Sequence, residues 1–109
     1  MSTDYCLVLC TCPDLATANA LADALVAEHR ATCVNIVPGL TSVYPWQGRI
    51  ERSEECLLLI KTETAGFSAV EDLLKRRHPY ELPEIIAVPV VRGASAYLEW
   101  LSAWLHGST

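Results

Sequence analysis

The residues of this sequence best suited to chemistry lie in one short segment, Arg77–Glu84, which we call the polar connection. It holds an imidazole, a phenol, two carboxylates and two prolines. Pro79 and Pro83 fix their own φ angles and push the residues before them, His78 and Leu82, into extended backbone. Because a merely solvated loop does not need such stiffness, the polar connection is predicted to hold polar side chains still, as a binding site requires.

His78 admits two interpretations. As a metal ligand, its neutral imidazole suits copper or zinc. As a structural residue, it caps the preceding helix by donating a hydrogen bond to a terminal carbonyl. We favour the structural role, but the two roles coexist when one ring nitrogen is anchored and the other faces a ligand.

Three cysteines, Cys6, Cys10 and Cys12, have the same parity and share one face of a regular strand. Cys6 and Cys10 are about 13 Å apart by strand rise, too far to share one ion. Cys10 and Cys12 are closer, but sharing an ion requires the strand to bend. The pattern therefore favours buried thiols packed as small apolar residues. A buried Cys10 would also be a poor nucleophile for a His78 base, so no enzyme is expected.

A second set of residues is predicted to line a polar pocket between subunits. Its members are Trp46, Lys61, Tyr80, Glu84, Tyr97 and Trp100. Lys61 interrupts a strand that is apolar over residues 56–60, and Glu84 is its expected partner. The pair either lines a pocket or acts as a structural ion pair that fixes the subunit interface, while Lys61 alone could reach solvent by extending its stem.

Hydrophobic periodicity places these residues on seven elements. The predicted strands are Tyr5–Cys12, Thr32–Tyr44, Arg49–Thr62 and Ile85–Val91. The predicted helices run from an Asp14 cap to about Arg30, over Gly66–Arg77, and through Tyr97–Leu105. Pro38, Pro83 and Pro89 predict that the second and fourth strands lie at sheet edges, with a bulge at Pro38-Gly39.

This order, β-α-β-β-α-β with an additional C-terminal helix, predicts an α+β fold of the ferredoxin-like sandwich type, a single domain over residues 1–109. Its central hairpin, turning at Pro45–Gly48, is too long for the core. Strands of a dozen residues reach roughly 40 Å, whereas a globule of this length has a radius of gyration near 13 Å. The hairpin is therefore predicted to project and dock on neighbouring subunits in a closed ring.

Composition excludes several classes of protein. A formal net charge of -5 gives no general basic surface for nucleic acid. No apolar segment is long enough for a membrane span or signal peptide, and five cysteines, an odd number, indicate reduced thiols in the cytoplasm rather than a disulfide framework. With 51% hydrophobic residues, part of the surface is expected to be covered by other subunits.

Three motifs carry a resemblance to a known family: residues 8–14 (VLCTCPD), 41–48 (TSVYPWQG) and 78–84 (HPYELPE). In this order the chain resembles the CutA family of divalent-cation-tolerance proteins. The resemblance implies a ferredoxin-like homotrimer, cytoplasmic, linked to copper and other divalent metals, with no catalytic activity and no organic cofactor. The family's proposed copper ligands fall on Cys10, Arg77 and His78. Arg77 departs from the pattern, since a guanidinium is not a ligand at neutral pH.

From these observations we expect a trimeric divalent-cation-tolerance protein that binds copper or another divalent cation weakly through Cys10 and His78. Arg77, beside that locus, is expected to repel a dication. Two alternatives stay open: a trimeric small-ligand sensor of the nitrogen-regulatory type, by analogy of fold, and a purely structural trimer that presents an assembly surface.

Overall fold

The computed structural model describes residues 4–107. The elements in chain order are β1 (Tyr5–Cys12), α1 (Leu15–Ala27), β2 (Cys33–Trp46), β3 (Arg49–Glu63), a short 3₁₀ turn (Thr64–Gly66), α2 (Phe67–Arg77), β4 (Ile86–Val90) and α3 (Ser95–Leu105). Residues 1–3 and 108–109 of the predicted domain lie outside the described range.

The predicted element order is confirmed, with two differences at the boundaries. Helix α1 ends at Ala27 rather than near Arg30, because His29 takes a left-handed φ of 57° that no helix can continue. The β2–β3 turn is only two residues long. Gln47 and Gly48 both have positive φ, 50° and 79°, the conformation that a two-residue hairpin turn requires. Pro45, predicted to be in the turn, is paired with Ile50 instead.

The four strands form one antiparallel sheet in the order β2-β3-β1-β4. Both strands predicted as edges from their prolines are edges. The predicted irregularity at Pro38-Gly39 is also present, as a register shift between Val37 and Leu40. β1 is central, and its burial alternates strictly along the strand.

The core lies between one face of the sheet and helices α1 and α2. Val8, Leu58 and Ile60 from the sheet meet Leu25 and Leu73 from the helices, all fully buried. This face also receives Cys10 and Cys12, so these two thiols are part of the core rather than of the surface.

The β2–β3 hairpin projects beyond this core, as predicted. The molecule measures 45 × 29 × 23 Å, and at the tip of the hairpin Trp46 is 57% exposed and Ile50 78% exposed. Strand β4, the residue that follows it and helix α3 carry further exposed apolar side chains. They are Ile86, Val88, Val91, Tyr97 and Trp100.

Candidate metal centre

Three potential metal ligands meet where the end of β1 faces the end of α2. The sulfur atoms of Cys10 and Cys12 and a ring nitrogen of His78 all lie within 4.8 Å of one another. We call these residues the thiol–imidazole cluster. The two thiols are fully buried and His78 is only 8% exposed. The structure thus brings together Cys10 and His78, the two predicted ligands, and adds Cys12.

The sheet register explains why both thiols point to one place. Cys10 is opposite Leu58 and Cys12 is opposite Cys56, with no break in the pairing of β1 and β3. Alternate residues of a strand are about 6.6 Å apart along the chain and share a face, so both side chains enter the same side of the sheet, where their sulfur atoms lie within 4.8 Å of each other. The expected bend of β1 stays a prediction.

Helix termination places the imidazole. His78 lies just past α2 in extended backbone (φ -75°, ψ 139°), as its position before Pro79 predicts, and its own N–H closes the helix on the Leu74 carbonyl. The ring then swings towards the sheet. Nε2 is 2.8 Å from the Thr11 carbonyl oxygen, and Nδ1 is 3.1 Å from the backbone nitrogen of Tyr80.

These contacts fix the protonation of the ring and correct one prediction. Because a backbone N–H can only donate, Nδ1 accepts from Tyr80, and Nε2 carries the hydrogen that it donates to Thr11. His78 is therefore not a side-chain cap of its own helix, since its donor goes to β1. It is a neutral imidazole that ties α2 to the central strand, with both ring nitrogens engaged.

The thiol of Cys10 donates to the Thr11 carbonyl oxygen at 3.8 Å, and the neighbouring side chains of Cys10 and Cys12 shift each other's acidity in opposite directions. The contact with Cys12 raises the pKa of Cys10, which burial raises further, and the contact with Cys10 lowers the pKa of Cys12. Nearby carboxylates act against ionisation: Glu84 and Glu55 raise the pKa of Cys10, and Glu55 and Asp14 oppose the lowering at Cys12. The same negative charges favour a cation at this locus.

Glu55 was not predicted as a site residue. It ends the charged stretch of the hairpin, which reads as solvent-exposed, yet it is only 7% exposed and accepts a 2.7 Å hydrogen bond from the Tyr80 hydroxyl. Burial and this bond raise the pKa of Tyr80. Glu55 faces Leu40, the first paired residue after the β2 register shift. The only sequence signal that could have pointed to Glu55 was Pro38-Gly39, which predicts an irregularity in the strand opposite it.

Arg77 does not face the thiol–imidazole cluster. Its guanidinium is 2.9 Å from a carboxylate oxygen of Glu28, on the outer surface of the helices. Its charge is therefore paired away from the thiols, and the expectation that it stands beside the metal locus is wrong.

The predicted pocket residues are dispersed within one chain. Lys61 donates to the side-chain oxygen of Asn35, and within the described residues no ion pair joins it to Glu84. The pairing of Lys61 with Glu84 is thus wrong inside a chain, because β1 lies between them: Lys61 is on β3, on one side of β1, and Glu84 comes just before β4, on the other side.

The remaining members of the set divide between three places. Lys61 and Tyr97 line a cavity of about 250 Å³, and the Trp100 ring contacts Tyr97 at a centroid distance of 5.5 Å. Tyr80 belongs instead to the surroundings of His78, with the two rings 4.8 Å apart, and Trp46 lies at the hairpin tip. A shared pocket between subunits stays a prediction.

Comparison with known proteins gives consistent matches. The sequence model for the CutA1 divalent ion tolerance protein matches residues 6–103. The chain is 50% identical over 95 residues to the divalent-cation tolerance protein CutA of Thermus thermophilus, covering 87% of this chain and 92% of that protein. CutA from Xylella fastidiosa matches with a TM-score of 0.92 at 44% identity, covering 94% and 98% of the two chains. A periplasmic divalent cation tolerance protein CutA from Archaeoglobus fulgidus matches with a TM-score of 0.91 at 34% identity, covering 93% and 98%.

Proposed function

Because the chain belongs to the CutA1 family of divalent ion tolerance proteins, we propose that it binds copper or another divalent cation as a homotrimer and catalyses no reaction. The observation that carries the proposal is the thiol–imidazole cluster, in which three metal-ligating atoms lie within 4.8 Å of one another. Cys10, Cys12 and His78 would hold the cation.

The chemistry of these donors fits the proposal. Thiolate and imidazole are the ligands that copper and zinc prefer among protein side chains. The carboxylates of Glu55, Glu84 and Asp14 add negative charge around the cluster. The site would therefore favour a cation through both the type of its ligands and the negative charge of the nearby carboxylates.

Affinity is expected to be modest, for a reason that the sequence did not show. A coordinated nitrogen of neutral imidazole cannot also accept or donate a hydrogen bond. Both ring nitrogens of His78 are engaged, with Thr11 and with Tyr80. Ligation must break at least one of these bonds, so part of the binding free energy is used to release the ring.

The homotrimer is supported by unpaired surfaces. Strands β2 and β4 are open sheet edges, and such edges invite pairing with another chain. The exposed aromatic residues on the hairpin and α3, including Trp46 and Trp100, would be covered by such contacts. Such contacts between subunits would also form the predicted pocket, which is therefore part of the proposal.

The absence of catalysis and the cytoplasmic location are likewise proposals. His78 has no unengaged ring nitrogen to take a proton from Cys10, which supports a binding role over a nucleophilic one. All five cysteines are free, which fits a reducing compartment. Among residues 4–107, no helix has the length and apolar character needed to cross a membrane.

The test is calorimetric titration of purified protein with copper(II) and zinc(II), comparing the wild type with His78→Gln. Glutamine keeps one donor and one acceptor but ligates metal poorly. His106→Gln is the matched control, because His106 is exposed and distant from the thiols in the fold. We expect binding in the wild type and the control, and its loss in His78→Gln. Equal binding in all three proteins would refute the site.

Light scattering of the same samples tests the assembly. We expect a particle of three times the 12.0 kDa chain mass. Nucleotides titrated in parallel test the sensor alternative. If no metal and no nucleotide binds while the trimer persists, the structural alternative is favoured.

A further inference from the structure

We propose that the thiol–imidazole cluster is selective for a soft cation of low coordination number, monovalent copper, and that Cys12 is the residue that makes it so. This inference rests on the proposed function and goes beyond it, because it names the oxidation state of the metal and the residue that sets the selectivity.

The first argument is the type of donor. Two sulfur atoms and one nitrogen make up the cluster, and within the described residues no carboxylate belongs to it. Soft sulfur ligands select monovalent copper and zinc, whereas magnesium, calcium and manganese prefer oxygen. Without Cys12 the set would be one sulfur and one nitrogen, which discriminates far less.

The second argument is the number of donors. Among the described residues, only three metal-ligating atoms of this cluster lie within 4.8 Å of one another. Cys56, although opposite Cys12 on β3, is not a member. Structural zinc is almost always held by four ligands, and a three-ligand zinc site keeps a water in the fourth position. Monovalent copper, a closed-shell ion, is satisfied by three donors.

The third argument is space. Three donors around one ion at about 2.3 Å lie about 4 Å from one another, so the observed limit of 4.8 Å needs only a small contraction. Cys10 and Cys12 are fully buried in the same hydrophobic core as Leu58, which is opposite Cys10 and also fully buried. This apolar packing accommodates a bare ion better than an ion that keeps water ligands.

The experiment is an anaerobic titration of the full-length protein with monovalent copper, against the chromophoric chelator bicinchoninate. Zinc(II), copper(II) and manganese(II) are titrated separately. We expect one monovalent copper per chain, bound more tightly than any of the divalent ions. Cys12→Ser should lower that affinity at least about a hundredfold, more than loss of an outer-shell partner costs. Cys33→Ser, which changes a thiol on β2 outside the cluster, should leave it unchanged.

A second measurement needs no variant and so does not depend on how Cys12→Ser folds. X-ray absorption at the copper edge of the loaded wild type should show two sulfur and one nitrogen neighbours. One sulfur neighbour, or unchanged affinity in a folded Cys12→Ser protein, would overturn the role of Cys12.

The outcomes separate this inference from the proposed function. If zinc or copper(II) binds at Cys10 and His78 more tightly than monovalent copper, the selectivity is wrong and the proposed function stands. If no ion binds at all, both are wrong.

Discussion

Replacing His78 with alanine should destabilise the fold even when no metal is present. The imidazole is 8% exposed and makes two hydrogen bonds, one to the Thr11 carbonyl and one from the Tyr80 N–H. Each bond contributes roughly 1 kcal/mol net, and the space left by the truncated ring adds about 1–2 kcal/mol. We therefore expect a loss of about 3–4 kcal/mol, a large part of the ~5–15 kcal/mol that stabilises a typical domain.

Urea denaturation monitored by circular dichroism, at one fixed protein concentration, measures this loss. His78→Gln should recover about half of it, because a glutamine can still donate to Thr11. His106→Ala is the control. The His106 side chain is exposed in its ion pair with Glu63. Its replacement should therefore change the free energy of unfolding by no more than about 0.5 kcal/mol. If His78→Ala is as stable as the His106 variant, the ring does not tie α2 to β1 and our interpretation of its contacts is wrong.

Four further predictions follow from the geometry. Metal binding through His78 should shift the amide resonance of Tyr80 strongly, because either coordinated nitrogen leaves that N–H without its acceptor; an unmoved resonance in loaded protein would contradict this. Apparent metal affinity should rise at least about tenfold per pH unit near neutrality, since the raised pKa of Cys10 means that a bound ion displaces at least this one thiol proton; titrations at three pH values check the slope. Asp14→Ala should lower stability at pH 7, and the difference should vanish in acid, because the folded carboxylate has a lowered pKa and its contribution is lost as pH falls through that value; a difference independent of pH would exclude the cap. Trp46→Ala should shift the protein towards smaller species on dilution, measured by light scattering, whereas an unchanged mass at all concentrations would mean that the hairpin tip does not hold subunits together.

Local pattern was enough to predict most of the fold. The alternation of Cys6, Val8, Cys10 and Cys12 defines a strand with one buried face, and the prolines at positions 38 and 89 mark the edges. These signals depend only on backbone geometry at each residue. They can therefore be read from the sequence without knowing the contacts between distant residues.

The details of the site depend on contacts between distant parts of the chain, which local pattern does not contain. The ring of His78 bonds to a carbonyl 67 positions away, so its true partner could not be read from the end of its own helix. The partner of Lys61 was missed for a related reason. Lys61 reaches Asn35 across the hairpin, and the register that brings them together follows from a turn two residues shorter than predicted.

The central position of β1 has a consequence for how the protein is made. This strand is the first to leave the ribosome, yet both of its sheet neighbours are synthesised later, β4 after nearly the whole chain. A nascent chain therefore carries three thiols on an apolar segment that has no partner, and the imidazole that joins two of them, Cys10 and Cys12, emerges only with residue 78. The thiol–imidazole cluster is therefore absent from every truncated translation product that stops before residue 78. Its formation reports that the end of α2 has docked on β1.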